Sequence, residues 1–433
     1  MIFINLFKKN LLIRVIGYTG FTGVLRLIIG VGTQKIVAVF LGASGLAVLA
    51  NVRNFIEILT SFSSFGAQNG IISKTASIEN KHTYTLFLSS CISLFISASF
   101  IIGAVVYWQQ QWIASSLHLE LDSPGIIWAL VFVVPFMGFT VLMEAILSGW
   151  KSYKPIANIQ LLTAFVTALL MFVLIYLSGL KGAIIALLCR PVIGFLFYLV
   201  YFQKLYDVIS LLTKYTPTLS QAKELVPYIS MTLLSTGFVQ VIEIWLRNLI
   251  TDELNLNAAG LWTAVNNISA HYFVFISFVF TLYVLPRFSE NIPNFSLYSE
   301  SRSVIKTLMV VVVPMMLVFY FLREPIVYLL YSEDFLEIAS FFKWQLIADC
   351  FRVVFLVFAY YIVAKKRLFD YFLIELFSFA TMIGLSIYLV KPYGIEGVLI
   401  ANTIRYVGCL VLVVFLLRKK LFFSNGNPLD RSA

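Results

Sequence analysis

GLKGAIIALLCR, residues 179–190, returns 215 residues later as GIEGVLIANTIR, residues 394–405, with two glycines, an isoleucine, an alanine and the terminal arginine in the same places. At the same offset LGASGLAVLAN (41–51) lies over LNAAGLWTAVN (256–266), sharing Leu, Ala, Gly, Leu and Asn. Two matches at one offset, close to half of a 433-residue chain, mark an internal duplication.

Around these blocks the sequence is that of a bilayer protein. Hydrophobic residues make up 60% and charged residues 12%, and the mean hydropathy is +0.92, far from a soluble domain. A hydrocarbon core of roughly 30 Å takes about 20 residues of helix. Apolar runs of that order fall at 15–37, 45–71, 84–108, 126–149, 156–178, 182–203, 226–250, 258–285, 304–322, 339–364, 371–390 and 395–417. The expected fold is therefore an all-α integral membrane protein with twelve transmembrane helices in two six-helix bundles. Because each half holds an even number of spans, the halves share one orientation, as parallel repeats do. The expected organisation is an N-terminal lobe over 1–203, a cytoplasmic linker over 204–225 and a C-terminal lobe over 226–433. PIVYLLYSEDF (325–335) is too short to cross and reads as an interfacial piece.

Retained positive charge marks the cytoplasmic side. The N-terminus and the even-numbered connections hold twenty Lys and Arg, among them Lys8, Lys9, Lys151, Lys154, Lys365 and Lys366, whereas the opposite side holds five, Lys35, Lys181, Arg323, Lys343 and Lys391. Both termini are expected in the cytoplasm. This bias also accounts for the net charge of +10, so the charge does not argue for a nucleic-acid partner. The first span is too long for a signal-peptide core and no small-residue cleavage pattern follows it, so it is expected to be a permanent anchor.

Chemistry of the enzymatic kind is not legible. Cys91, Cys189, Cys350 and Cys409 sit far apart inside apolar spans and read as small core hydrophobes, and His82, His118 and His271 form no cluster. No nucleotide-binding glycine loop, HExxH or nucleophile elbow occurs. No metal or cofactor is expected, and the chain is read as a transporter rather than an enzyme.

The informative residues are charges inside the spans: Arg26, Arg53, Arg190, Arg247, Arg352 and Arg405 against Glu57, Glu144, Glu243, Asp349 and Glu375. A charge at a helix centre costs about 2.5 kcal/mol or more, so these groups are expected to face water or one another. Arg53 and Glu57 are spaced i,i+4, as are Glu243 and Arg247; Asp349 and Arg352 are i,i+3 with Gln345 on the same side. Each pair alone reads equally as a structural ion pair. As a set, a ladder of guanidinium groups suits an anion such as phosphate, which Arg grips with a bidentate fork. Arg190 and Arg405, equivalent in the repeat, are read as structural. The candidate substrate-binding residues are Arg26, Arg53, Glu57, Glu243, Arg247, His271, Asp349 and Arg352, lining a cleft between the lobes.

Three blocks, LGASGLAVLANVRNFIEILTSFSSFGAQNGI (41–71), AAGLWTAVNNISAHYFVFISFVFTLYVLPRFS (258–289) and FFKWQLIADCFRVVFLVFAYYIVAKKRLFDYF (341–372), closely resemble the Wzx-type flippases of lipid-linked O-antigen and enterobacterial common antigen repeat units. These flippases form the polysaccharide-transporter branch of the multidrug/oligosaccharidyl-lipid/polysaccharide exporter superfamily. Arg53 stands on the arginine of the family's ANxR pattern and Asp349 on the aspartate of its WQLxxD pattern; Arg352 stands where a basic residue is usual. The resemblance implies a bacterial inner membrane, a MATE-like V shape with a central cavity, and translocation of an undecaprenyl-pyrophosphate-linked oligosaccharide from the cytoplasmic to the periplasmic leaflet by alternating access. The drive would be the membrane potential or ion antiport, with a proton or sodium as coupling ion, and the partners a glycan polymerase and a chain-length regulator. A MATE-like drug exporter and a membrane-embedded glycan polymerase are the alternatives. The first would want uncompensated carboxylates for cationic drugs; the second would be expected to carry a large hydrophilic outer loop, and here the outer loops are short.

Overall fold

A chain that crosses hydrocarbon must satisfy its backbone hydrogen bonds within each segment, which leaves the helix as the local solution for these apolar runs. The computed structural model describes residues 2–78, 80–119, 124–201, 238–284, 287–288, 296–365 and 367–422, and the elements among them are helical. In chain order they are α1 (Ile2–Ser63), α2 (Gln68–Ser77), α3 (Lys81–Trp108), α4 (Gln110–Ser116), α5 (Pro124–Gly149), α6 (Tyr153–Tyr201), α7 (Phe238–Glu253), α8 (Leu256–Val279, running into a π-helical turn Phe280–Val284), α9 (Leu297–Phe321), α10 (Arg323–Leu330), a 3-10 stretch Glu333–Phe341, α11 (Phe342–Ala364) and α12 (Leu368–Phe422). Contacts group the chain into two units, Met1–Trp245 and Leu246–Ala433. The expected linker 204–225 and the start of the expected seventh span lie outside the described residues.

Among the described residues seven helices are long and apolar enough to cross a membrane. Three of these stretches, of 46, 49 and 51 residues, are about twice the crossing length. Each is broken by one glycine outside helical geometry: Gly42 (φ 64°, ψ −167°), Gly179 (φ 55°, ψ −132°) and Gly394 (φ 57°, ψ −137°). Side-chain-bearing residues avoid this backbone, so glycine is the residue that ends the helix here. The chain doubles back at the second and third breaks. Along a straight helix Leu174 and Gly182 would stand about 12 Å apart, yet an added Cβ on Gly182 would lie 1.9 Å from the Leu174 carbonyl oxygen. Gly397 meets Leu389 in the same way, at 2.0 Å.

The seven do not include α7 or α8, which fall on two of the twelve expected spans. The described part of α7 is 16 residues and carries Glu243, Arg247, Asp252 and Glu253, while Asn266, Asn267 and His271 dilute the apolar character of α8. The expected second span also ends early, at Ser63 rather than 71. The Ser63 and Ser64 hydroxyls donate back to the Thr60 carbonyl (3.1 and 2.9 Å), and Phe65 and Gly66 then take left-handed φ values of 48° and 61°. A helix cannot continue through two such residues, and α2 starts afresh at Gln68.

In the first unit α1 packs chiefly on α6, and α5 lies against α6, α3 and α2. Small residues on α5 set the spacing: Gly138 sits where a Cβ would be 3.2 Å from the Ser63 carbonyl oxygen, and at Gly149 a Cβ would overlap Thr75. Ile71, Phe87, Phe95, Ala145, Leu147 and Tyr198 fill the core between these helices. Helix α5 ends in a Schellman turn, with Lys151 at φ 57° and the Ser152 amide donating to the Leu147 carbonyl at 2.9 Å. The second unit repeats the order: α9 and α10 start at 297 and 323 where α3 and α4 start at 81 and 110, and α12 starts at 368 where α6 starts at 153. The short helix α4, flanked by the exposed Trp108 and bearing the exposed Trp112, thus matches α10, the piece read as interfacial. Exposed indoles are the side chains that settle at a membrane–water boundary.

Candidate functional site

A cavity of about 270 Å³ opens inside the first unit, walled by both limbs of α1, by α5 and by both limbs of α6. Helical spacing supplies its polar stripes. Arg53, Glu57 and Thr60 share one face of α1, Thr140 and Glu144 one face of α5, and Gln160 and Thr163 one face of α6; beyond the Gly179 break, Arg190 and Tyr198 come from the returning limb. Gly194 keeps that limb open, standing 3.6 Å from the Thr140 methyl and 3.7 Å from the Thr163 methyl when measured from an ideal Cβ.

A directional relay crosses the floor. Arg26 Nη1 donates to Gln160 Oε1, Gln160 Nε2 donates to Glu144 Oε1 at 2.9 Å, and the Tyr198 hydroxyl donates to Glu144 Oε2 at 3.4 Å. Glu144 attracts the Arg26 guanidinium while Arg190 repels it. Arg53, Glu57 and Arg190 are exposed on the rim. Two buried polar atoms of the lining, Arg26 Nε and Thr163 Oγ1, have no hydrogen-bond partner. Three guanidinium groups against two carboxylates leave the cavity cationic. Ions held in a dry interior would each cost several kcal/mol; at about 30 Å³ per water the space admits on the order of nine molecules, which lowers that penalty.

Of the residues expected at the site, Arg26, Arg53 and Glu57 line this cavity. Glu243, on the first-unit portion of α7, accepts a hydrogen bond from Asn54 Nδ2 at 2.9 Å. The others belong to the second unit. Arg247 is 3% exposed; its Nε donates to Thr263 Oγ1 at 3.0 Å and its guanidinium lies 5.6 Å from the Trp262 ring. His271 is half-buried on α8. Asp349 is fully buried and accepts from Ser269 Oγ (2.7 Å), Tyr272 Oη and Gln345 Nε2 (3.1 Å), with Arg352 Nη1 3.9 Å from its other oxygen. Arg352 itself stacks 3.9 Å from the Phe273 centroid and stays one-third exposed.

Glu144, Gln160, Thr163 and Tyr198, which are not among the candidate substrate-binding residues of the sequence, also line the cavity, as does Arg190, read there as structural. Glu144 was visible as a charge within a span. Gln160 and Thr163 carried only a weak mark, a polar i,i+3 pair inside an apolar run.

Comparisons with known proteins bear on the family and the fold. Residues 36–340 match the family described as polysaccharide biosynthesis protein. The chain is 23% identical over 406 residues to the "Lipid III flippase" of Escherichia coli (strain K12), covering 93% of this chain and 98% of that protein. Among solved structures it is similar to "Lipid II flippase MurJ, inward closed conformation", with a TM-score of 0.72 at 15% identity over 92% of this chain and 87% of that one. It is also similar to an inward-facing multidrug resistance MATE family transporter of the MOP superfamily, with a TM-score of 0.75 at 14% identity over 92% and 94%. These two likenesses concern the fold. With about two-thirds of its length matched, the chain belongs to the polysaccharide biosynthesis protein family.

Proposed function

We propose that this protein is a lipid-linked oligosaccharide flippase, carrying an undecaprenyl-pyrophosphate-linked repeat unit from the cytoplasmic to the periplasmic leaflet of a bacterial inner membrane. The observation that carries this reading is the convergence of Arg26, Arg53 and Arg190 on one cavity within an apolar helical unit. A guanidinium presents a rigid fork to phosphate oxygens, and the lining carries three of them beside two carboxylates, Glu57 and Glu144. A cavity of about 270 Å³ is at the small end of ligand sites, so it suits the pyrophosphate and an adjoining ring rather than a whole repeat unit. The prenyl tail remains in lipid while the head group is handed across by alternating access.

The finer topology follows the same reading: the three glycine breaks divide the long helices, and with α7 and α8 the chain makes twelve passes in two six-helix lobes joined through 204–225, both termini in the cytoplasm. A potential negative inside favours outward movement of an anion by about 2.3 kcal/mol per charge per 100 mV, or about 4.6 kcal/mol for two charges, a substantial drive before any proton or sodium antiport is added.

Replacing Arg53 with Ala in a complementation assay tests the reading. Surface glycan is expected to disappear while the amount of folded protein in the membrane stays normal; retained glycan, or loss of the protein itself, would return Arg53 to a structural role.

A further inference from the structure

The second unit has a recess of its own, about 340 Å³, between α9 and α11. Met316 and Leu346, 5% and 8% exposed, close its floor together with Cys350, whose Sγ lies 3.1 Å from Met316 Sδ. Its rims, Leu317 and Ile347, are exposed apolar side chains, so the recess opens toward hydrocarbon. The lining runs from Val313 to Tyr320 on α9 and from Cys350 back to Lys343 on α11, seven residues on each helix. That is about 10 Å of helix, which fits inside one half of a hydrocarbon core of roughly 30 Å. Because α9 ends at Phe321 and α11 begins at Phe342, Tyr320 and Lys343 stand at the same end. Cations gather there. Lys343 lays its stem along the groove and keeps a half-exposed ammonium at the mouth, 3.3 Å from Glu396 Oε1; the other oxygen of Glu396 accepts from Trp344 Nε1 at 3.2 Å. Arg323 Nη1 donates to the Tyr320 carbonyl at 3.1 Å, and its guanidinium lies 4.6 Å from the Tyr320 ring. An ammonium has three donors and a guanidinium five, so both keep donors for a further acceptor. They are two of the five Lys and Arg expected on the periplasmic side.

We propose that this recess is a binding site for an anionic phospholipid of the periplasmic leaflet, one acyl chain lying in the groove between α9 and α11 and the phosphodiester meeting Lys343 and Arg323 at its mouth. The floor and rims offer hydrocarbon nothing but hydrocarbon, and the one end that carries polar groups carries N–H donors, which is the complement of a lipid whose polar end is a phosphate. Glu396 acts as a positioning residue, holding the ammonium at the mouth. A zwitterionic lipid brings its own ammonium against Lys343 and Arg323, and like charges so placed repel; the site therefore favours a headgroup without a cation. A straight acyl chain suits a narrow groove between two helices, whereas a prenyl chain carries a methyl branch on every unit and far exceeds the length of the groove. The site belongs to the second unit alone and makes no use of the cavity of the first.

The test titrates the purified full-length protein in detergent with spin-labelled phosphatidylglycerol and spin-labelled phosphatidylcholine, the immobilised fraction of each reading its occupancy. A Lys or Arg at a membrane surface is worth about fivefold in affinity for an anionic lipid, so wild type should prefer phosphatidylglycerol by a factor on the order of twenty. Lys343→Gln and Arg323→Gln should each cut that ratio about fivefold while phosphatidylcholine binds as before. Leu317→Trp, which puts an indole into the groove, should weaken both lipids, and Val311→Trp, at a 66% exposed position of α9 outside the lining, should bind them as wild type does. A wild type without the preference, a ratio unchanged in both charge variants, or equal losses in the two tryptophan variants would overturn the site. Two further results would assign the groove to another occupant and overturn it as well. Unlabelled undecaprenyl phosphate that displaces the labelled lipid at lower concentration than unlabelled phosphatidylglycerol does would give it to a prenyl chain, and a dimer in light scattering that Leu317→Trp dissociates would give it to a second copy of the chain.

Discussion

The two Gly-x-x-Gly hairpins lend themselves to a quantitative test. At Gly397 an added methyl would sit 2.0 Å from the Leu389 carbonyl oxygen, and at Gly182 1.9 Å from that of Leu174, where ordinary contact begins at 3.4 Å. The overlap of about 1.4 Å is against backbone, which cannot rotate aside as a side chain can. Relief requires the hairpin to open, at a cost of about 3 kcal/mol or more on the scale of overpacked interiors. For a cooperative unit of roughly 200 residues, each kcal/mol moves the melting temperature by about 2–4 °C, so Gly182→Ala and Gly397→Ala should each lower it by about 6–12 °C. Gly384 on α12 supplies the control: nothing lies within 4 Å of its Cβ position, and Gly384→Ala should be neutral or stabilise by about 0.5–1 kcal/mol through lower backbone entropy in the unfolded chain. Thermal unfolding of the purified protein in detergent, followed by intrinsic fluorescence, reads all three. Wild-type melting of both hairpin variants would refute the close approach, and a large drop in one with none in the other would refute the equivalence of the two hairpins.

Other perturbations bear on the charges. Arg53→Lys should support only part of the wild-type surface glycan if the planar fork matters, whereas full activity would reduce the requirement to a positive charge. Asp349→Ala should destabilise the second unit by about 3–5 kcal/mol, because Ser269, Tyr272, Gln345 and Arg352 would lose their common acceptor; Asp349→Asn, which keeps an oxygen in place, should cost less, and a melting temperature equal to wild type in the alanine variant would contradict the packing described. In vesicles loaded with potassium, valinomycin should speed outward transfer when it sets a potential negative inside and slow it when the gradient is reversed; a rate blind to the sign of the potential would exclude electrophoretic drive. Single cysteines placed at Lys151 and Glu253 should label from opposite sides of the membrane, and labelling from one side would overturn the proposed topology.

The duplication was legible because glycine leaves a mark that survives divergence. The expected spans stop at 37, 178 and 390 and resume at 45, 182 and 395, so their gaps bracket Gly42, Gly179 and Gly394, where the backbone leaves helical geometry. The ends of the second span were not legible, because the turn at Phe65 and Gly66 rests on serine hydroxyls folding back onto Thr60 rather than on a polar break. Nor did spacing separate the cavity wall from the packed interior. Arg53 and Arg247 both sit i,i+4 from a glutamate, yet one is exposed on the rim of the cavity and the other is 3% exposed, with its guanidinium 5.6 Å from the Trp262 ring. Helical periodicity tells which side chains share a face; only tertiary packing decides whether that face meets water, lipid or another helix. Thr163 and Gln160 joined the site for the same reason, through the approach of α5 and the returning limb of α6 rather than through anything in their own segment.

The most direct measurement is transfer itself. Reconstituted into liposomes, the wild-type protein should equilibrate a fluorescent prenyl-pyrophosphate-linked oligosaccharide between leaflets, read by a quencher confined to one side, and Arg26→Gln, Arg53→Gln and Arg190→Gln combined should stop it while the variant still reconstitutes as folded protein. Transfer by the triple variant at the wild-type rate would contradict a cationic cavity as the carrier of the head group.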